Sequence, residues 1–291
     1  MDEAPRRISL PVVDPVLGGL VFDAWAAGPA DGRLVLLLHG FPQNAHMWRA
    51  QLGALAAAGY RAVAVDQRGY SPGARPDSVP AYEPAHLVAD TLAFADLLAG
   101  SPAAPVDLVG HDWGGVVAWH LAASHPGRLR TLTVVSTPHP AALSAALASG
   151  GDQRARSSYI RLFRQPGIAE QVLLEEGARR LRTMFVATGL PDCEDYVARM
   201  AEPGALTPAL NWYRAAKRSD TAGEVSVPTL YVWGESDPAL GREAAEATAG
   251  YVRGQYRFEP LAGVGHWVPE TAAETLTALL LDHLAGYDAA R

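Results

Sequence analysis

The 291-residue sequence contains a single cysteine, Cys193. One cysteine excludes an intrachain disulfide bond and any metal cluster held by several cysteines. The neighbouring carboxylates of Asp192, Glu194 and Asp195 raise the pKa of a thiol, which opposes a nucleophilic role. We therefore assign no chemistry to Cys193, and we expect neither a metal nor another cofactor.

Long apolar runs and an excess of positive charge are also missing. Stretches such as residues 34–38 and 278–281 are far shorter than the roughly 20 apolar residues of a membrane-spanning helix. Acidic side chains outnumber basic ones by 31 to 24, and no block of like charge concentrates either sign. We therefore expect neither a nucleic acid nor a membrane as a partner.

A secretory signal is not recognisable either. Residues 1–7 carry acids and a proline where such a signal has its apolar core. The composition, 49% hydrophobic and 19% charged, is sufficient for a buried core. We expect a folded cytoplasmic protein that works as a monomer or a homodimer.

Short apolar, β-branched runs recur along the chain, and most are separated by segments with helical spacing. The predicted strands are residues 8–13, 20–25, 34–38, 61–65, 106–109, 132–136, 229–233 and 256–259. The first two resemble an antiparallel pair joined by a turn at Gly18-Gly19, and a helix from about residue 271 to 285 ends the pattern. Strands that alternate with helices indicate a mostly parallel sheet, here of about eight strands.

This alternation is interrupted between residues 138 and 225. The segment contains no buried-strand pattern and reads as several short helices separated by glycine and proline pairs. We therefore predict a core formed by residues 1–137 and 226–291, and a helical cap formed by residues 138–225. Such a cap would cover the carboxyl ends of the parallel strands, where open α/β sheets bind ligands.

A candidate nucleophile follows the strand at residues 106–109. The segment GHDWGG (residues 110–115) separates this strand from a helical pattern. In a Gly-x-nucleophile-x-Gly elbow, the nucleophile has a strained backbone, and small flanking residues let the strand and helix pack closely. Asp112 occupies the nucleophile position. The alternative is an acidic N-cap of an ordinary helix, a role that aspartate also fills well.

The segment HGFP (residues 39–42) follows the strand at residues 34–38. In the elbow fold, the second donor of the oxyanion hole lies at this place. The backbone N–H groups of Phe41 and Trp113 can then converge on one developing negative oxygen.

Two further segments supply an acid and a base. Asp237 follows the strand at residues 229–233, and His266 lies on a glycine-flanked loop after the last strand. The order nucleophile, acid, histidine is that of the elbow fold. We therefore predict a triad of Asp112, Asp237 and His266, although eight other histidines are present and a structural role is the alternative for this one.

Over nearly its whole length the chain resembles the α/β-hydrolase superfamily, specifically its epoxide-hydrolase-like branch. HGFP is similar to the His-Gly-x-Pro oxyanion motif of that branch, and GHDWGG to its nucleophile segment. The resemblance implies an α/β-hydrolase fold, with an eight-stranded, mostly parallel sheet and a helical cap inserted between two strands. The cap segment NWYR (residues 211–214) resembles the one that carries a ring-opening tyrosine, which implies that role for Tyr213. Helix packing is the alternative.

The sequence departs from the branch at a second cap tyrosine. Epoxide hydrolases usually carry it four residues before a Pro-Gly pair, and the matching position here is Leu162, which cannot donate a proton. Tyr159 would share a helix face with Leu162 and could supply the missing hydroxyl, or it could be core packing.

The cap offers further apolar residues to contact a hydrophobic small-molecule substrate. We expect Leu162, Phe163, Met184, Phe185 and Trp212 to line its inner surface. Arginines 179, 180 and 182 are expected on its solvated face.

An aspartate nucleophile restricts the reaction. Attack of a carboxylate on an acyl carbon would leave a reactive anhydride, which argues against a simple esterase. Attack on an electrophilic sp³ carbon gives an alkyl ester that water can cleave. An ordinary aspartate is ionised at neutral pH. We therefore predict an epoxide hydrolase, in which water activated by His266 hydrolyses an ester on Asp112.

Haloalkane or haloacid dehalogenation by the same nucleophile is the alternative. Haloalkane dehalogenases usually have Asn where Phe41 stands, and haloacid dehalogenases usually have Arg where Trp113 stands, so neither pattern is complete. A third possibility is a non-hydrolytic biosynthetic catalyst or a small-molecule receptor on this fold.

Overall fold

A computed structural model of the chain describes residues 4–101, 103–217 and 219–287. The first three and last four residues of the predicted core lie outside these ranges. The eight strands are β1 Arg6–Asp14, β2 Gly18–Ala27, β3 Leu34–Leu38, β4 Arg61–Val65, β5 Val106–His111, β6 Leu129–Val135, β7 Thr229–Gly234 and β8 Tyr256–Leu261.

All eight strands form one sheet in the order β1-β2-β4-β3-β5-β6-β7-β8. β1 pairs antiparallel with β2, and β2 pairs antiparallel with β4, while the remaining pairs are parallel. The predicted eight-stranded, mostly parallel sheet is confirmed. Its central strands β3 and β5 are buried along their whole length. Burial on both faces explains why β3 reads as a continuous apolar run and why β5 is mainly apolar up to Val109, with Asp107 as the exception.

The turn between β1 and β2 lies one step earlier than the sequence indicated. Gly18 and Gly19 belong to β2, and residues 15–17 form the turn. The side chain of Asp14 accepts hydrogen bonds from the backbone N–H groups of Val16 and Leu17, both at 2.9 Å. An aspartate that bonds to the backbone two and three residues ahead stabilises a turn without glycine at its centre.

The helices are α1 Arg49–Ala57, α2 Pro84–Ala99, α3 Trp113–Ser124, α4 Pro140–Ser149, α5 Asp152–Arg156, α6 Ile160–Phe163, α7 Ile168–Ala187, α8 Glu194–Ala201, α9 Leu206–Ala215, α10 Arg242–Ala247, α11 Val268–Thr271 and α12 Ala273–Ala285. α1 packs against α12, and α2 against α3. The helix expected from about residue 271 to 285 corresponds to α12, and the short helix α11 precedes it, separated from it at Ala272.

Six helices, α4 to α9, lie between β6 and β7, within the segment predicted to be the cap. α7 is broken by non-helical backbone at residues 175–178, where Glu176, Gly177 and Ala178 have φ angles of 51°, 68° and 64°. Val225, the last residue of the predicted cap, forms an isolated parallel bridge with Val252. The division into core and cap at residues 138 and 225 stays a prediction.

Candidate active site

Asp112 lies at the junction of β5 and α3. Its φ is 51° and its ψ is −119°, a strained combination for a residue with a side chain. The close approach of α3 to β3 requires glycine, because a Cβ atom on Gly114 would lie 2.3 Å from the carbonyl oxygen of Leu38. The elbow expected from the GHDWGG segment is therefore present in the backbone.

The HGFP segment delivers a hydrogen-bond donor to Asp112. The backbone N–H of Phe41 donates to Oδ1 of Asp112 over 2.8 Å. Gly40 permits this approach, since a Cβ atom there would lie 2.3 Å from the Cβ of Asp112. Burial raises the pKa of Asp112, against the lowering effects of the His266 charge and of the N–H groups of Trp113 and Phe41.

The predicted acid and base lie beside Asp112. His266 Nδ1 is 2.8 Å from Oδ2 of Asp237, and His266 Nε2 is 3.7 Å from Oδ2 of Asp112. Oδ1 of Asp237 accepts hydrogen bonds from the N–H groups of Ala239 and Leu240. Burial alone would lower the pKa of His266, but the charge and hydrogen bond of Asp237 and the charge of Asp112 raise it to about 9.

Two residues that sequence reasoning missed hold the backbone of His266. His111 Nε2 donates to the carbonyl oxygen of His266 over 2.9 Å, and Ser136 Oγ donates to the same oxygen over 2.8 Å. Burial keeps the pKa of His111 well below its usual value, so its ring is neutral at pH 7. His111 stands inside the GHDWGG segment, which could have drawn attention to it, whereas no local signal marks Ser136.

A second missed contact fixes the loop of the acid. The side chain of Arg156 donates to the backbone carbonyl of Asp237 over 2.6 Å. Gln153, also on α5, donates to the carbonyl of Ala239 and accepts from the N–H of Gly241, both at 2.8 Å. The segment predicted to be the cap therefore contacts the backbone of Asp237 and of the loop that follows it.

Tyr213 and Tyr159 both face Asp112. Their ring centroids are 6.3 Å apart, and the Tyr213 ring also contacts the rings of Trp113 and Phe41 edge-on. Burial and the nearby charge of Asp112 raise the pKa of both phenols, while hydrogen bonds from Trp113 to Tyr213 and from Tyr213 to Tyr159 oppose the shift. Both hydroxyls therefore keep their protons at neutral pH.

These residues enclose a cavity of about 1100 Å³. Its floor and walls comprise Phe41, Asp112, Tyr159, Leu162, Phe163, Leu173, Met184, Tyr213, His266 and Trp267. Tyr159 and Leu162 thus line the cavity, and their contact with a substrate stays a prediction. The cavity is large enough for a drug-sized molecule.

Trp212 and Phe185 lie elsewhere. Neither side chain is among the described residues that line the cavity. The indole of Trp212 donates to the carbonyl oxygen of Arg68 over 2.9 Å, and its ring packs against Tyr70. Phe185 packs against the rings of Tyr196 and Trp267. We correct the expectation that these two side chains face the substrate: they hold cap helices in place.

The arginines expected on the solvated face of the cap divide into two groups. Arg182 pairs with Glu194 on α8. Arg179 and Arg180 are exposed as expected, but they also line the mouth of the cavity.

Burial raises the pKa of Cys193, and Glu194 adds to the increase, in agreement with an inert thiol.

Within residues 4–101, 103–217 and 219–287, no group of three or more His, Cys, Asp or Glu side chains could hold a metal ion. No helix in the same ranges is long and apolar enough to cross a membrane.

The sequence of residues 33–273 matches the family model of the alpha/beta hydrolase fold. Epoxide hydrolase A of Mycobacterium tuberculosis is 32% identical over 305 residues, an alignment that covers 90% of this chain and 93% of the relative. The chain belongs to the α/β-hydrolase superfamily, in its epoxide-hydrolase-like branch. The expected fold and resemblance are therefore confirmed, and the chain is a hydrolase by family.

Other relatives agree with this membership. The AB hydrolase superfamily protein YfhM of Bacillus subtilis is 35% identical over 279 residues, covering 91% of this chain and 95% of the relative. The crystal structure of epoxide hydrolase A from Mycobacterium thermoresistibile superposes with a TM-score of 0.84 at 30% identity, over 98% of this chain and 99% of that one.

Proposed function

We propose that this α/β-hydrolase opens an epoxide of a hydrophobic small molecule to a diol, through an alkyl ester on Asp112. The observation that carries the proposal is the position of Oδ2 of Asp112. Oδ1 is held by the N–H of Phe41, whereas Oδ2 faces the cavity near His266. A carboxylate oxygen presented to an apolar cavity is a nucleophile for an sp³ carbon.

In the first step, Oδ2 of Asp112 attacks one carbon of the epoxide and the ring C–O bond breaks. The departing oxygen takes the proton of Tyr213, assisted by Tyr159, and becomes a hydroxyl group. Both phenols are protonated at neutral pH because burial raises their pKa, and an alkoxide is more basic than a phenolate. The tyrosine recovers its proton from water.

In the second step, His266 removes a proton from water, and the hydroxide adds to the carboxyl carbon of Asp112. The oxyanion forms on Oδ1, against the N–H groups of Phe41 and Trp113. When this intermediate collapses, the bond between the carboxyl carbon and Oδ2 breaks. The diol leaves with Oδ2 and a proton from His266. The carboxyl group of Asp112 keeps the oxygen of the added hydroxide and releases its proton to solvent, which balances the proton that the tyrosine took from water.

Esterification also prepares His266 for its role as a base. The negative charge of Asp112 helps to raise the pKa of His266 to about 9 in the free protein, where the ring is protonated at neutral pH. An ester carries no charge, so the pKa of His266 falls once Asp112 is alkylated. The base becomes available in the step that needs it.

The test is a single turnover in oxygen-18 water with enzyme in excess over a terminal epoxide. The diol of the first turnover should contain only light oxygen, since its new oxygen comes from Asp112, and the heavy isotope should appear in Asp112. Heavy oxygen in the first diol would show direct attack by water. Halide release from alkyl halides without any diol from epoxides would favour dehalogenation, and the absence of a covalent ester with either class would favour a receptor or a non-hydrolytic catalyst.

A further inference from the structure

The mouth of the cavity is basic, although the chain as a whole has a net charge of −7. Four arginines line it, namely Arg156, Arg161, Arg179 and Arg180. Apart from Asp112, Glu175 is the acidic residue among the described residues that line the cavity. A local excess of positive charge at the entrance of a low-dielectric cavity attracts anions even when the whole molecule is acidic.

Two of these arginines are already neutralised. Arg156 forms an ion pair with Asp152 over 2.7 Å and also holds the carbonyl of Asp237. Arg179 pairs with Glu176 over 3.0 Å. These two guanidinium groups therefore have carboxylate partners within the protein.

Arg161 and Arg180 differ from this pair. Their side chains are exposed, and neither guanidinium group has an ion-pair partner in the part of the chain that the structure describes. They lie on α6 and α7 and are exposed, whereas the side chains of Asp112 and His266 are only 16% and 8% exposed. Apolar side chains such as Leu162, Phe163 and Met184 line the same cavity.

We propose that Arg161 and Arg180 bind a carboxylate at the far end of the substrate, so that the substrate is an amphiphilic epoxide with an anionic terminus. This inference rests on the proposed function, because the epoxide end must reach Asp112. Guanidinium groups bind carboxylates through paired, charge-assisted hydrogen bonds. The apolar side chains that line the same cavity fit a hydrocarbon segment, and the exposed arginines keep the charged end hydrated.

The experiment compares two substrates of equal chain length, a terminal epoxide with a carboxylate at its other end and the methyl ester of the same molecule. For the wild-type protein, the ratio of kcat/KM for the acid to that for the ester should exceed one and should fall as salt is added. Arg161→Gln and Arg180→Gln should each lower this ratio by about 1.4- to fivefold, the range for exposed charge pairs, and the double variant should lower it further.

Arg253→Gln is the matched control, since Arg253 is exposed, pairs with Glu224 and does not line the cavity. This variant should keep the wild-type ratio. A wild-type ratio of one or less, or the same ratio in the double variant as in the wild type, would overturn the proposal.

A second measurement separates this proposal from the proposed function. Calorimetry compares binding of the saturated carboxylic acid, which has no epoxide, with binding of its methyl ester. Tighter binding of the acid that is lost in the double variant supports the arginine site even if neither epoxide gives a diol, an outcome that would reject epoxide hydrolysis alone. Equal binding of acid and ester would reject the arginine site whatever the turnover.

Discussion

The backbone N–H of Phe41 donates to Oδ1 of Asp112 over 2.8 Å. This oxygen is the one on which negative charge would develop when water attacks the ester of Asp112. The donor is therefore in place before the reaction begins, and the transition state requires little reorganisation of the protein around it. The other carboxylate oxygen is left for attack on the substrate.

Replacing His266 with glutamine should trap the ester. Alkylation needs the ionised carboxylate of Asp112 and a proton donor from the cap, whereas hydrolysis needs the imidazole base. We expect mass spectrometry of His266→Gln mixed with a terminal epoxide to show the protein mass increased by the mass of the substrate. His125→Gln is the control, because His125 is exposed and contacts Ser124; it should turn over normally. Consumption of the epoxide by His266→Gln without an adduct would remove His266 from the hydrolytic step.

The charge of Asp112 should have a measurable effect on the pKa of His266. Because Asp112 is one of the groups that raise the pKa of His266 to about 9, Asp112→Asn should lower that pKa. Nuclear magnetic resonance of the labelled imidazole measures the change, and Asp282→Asn, at an exposed position on α12, should leave it unchanged. An unaltered pKa in Asp112→Asn would mean that Asp237 alone sets the titration.

The same shift has a consequence for stability. The pKa of folded His266 exceeds the ordinary value of 6.5, so the protonated ring favours the folded state. That contribution is fully present below pH 6.5 and is lost as the pH rises through about 9. The difference in unfolding free energy between the wild-type protein and His266→Gln should therefore decline across this interval in urea titrations.

The fold could be predicted from the sequence because its central strands have a simple physical signature. β3 and β5 are covered on both faces, so β3 is an uninterrupted apolar run and three of the first four residues of β5 are apolar, the exception being Asp107. The grouping of Asp112, Asp237 and His266 could be predicted because each of them follows a strand and the elbow imposes its own glycines. These are local patterns, and a single sequence contains them.

The contacts that the sequence did not disclose are long-range. His111 and the carbonyl of His266 are 155 positions apart, and Arg156 and the carbonyl of Asp237 are 81 apart. Nothing in either neighbourhood indicates the other. Trp212 was misplaced for a different reason: adjacent residues on a helix point about 100° apart, so Tyr213 faces the cavity while its neighbour faces the core.

Trp212 should therefore matter for stability. Trp212→Phe removes the indole N–H that bonds to the carbonyl oxygen of Arg68 and leaves that acceptor buried without this partner. The loss is expected to be about 1–3 kcal/mol of unfolding free energy, measured by urea denaturation. Trp25→Phe, at a partly exposed position on β2, should cost less. Equal stability of Trp212→Phe and the wild type would show that the indole hydrogen bond does not fasten α9 to the core.

The epoxide mechanism depends most on Tyr213. Tyr213→Phe keeps the ring contacts with Phe41 and Trp113 but removes the proton donor for the opening ring. General acids contribute about 10²–10⁴-fold in rate. Alkylation of Asp112 by an epoxide should therefore slow by about 10²-fold or more. Rapid-quench measurement of the ester isolates that step.

Tyr159 should supply part of the rate of ester formation that remains in Tyr213→Phe. Its hydroxyl lies beside that of Tyr213 and near Asp112, and Leu162 offers no hydroxyl in its place. The double variant Tyr159→Phe with Tyr213→Phe should therefore form the ester more slowly than Tyr213→Phe alone. Tyr256→Phe is the control, because this phenol lies on β8 and its hydroxyl has no hydrogen-bond partner among the described residues. A halide leaves without a proton, so any halide release should respond much less to these changes. Epoxide opening at the wild-type rate in Tyr213→Phe would make this tyrosine a packing residue and would favour dehalogenation as the use of Asp112.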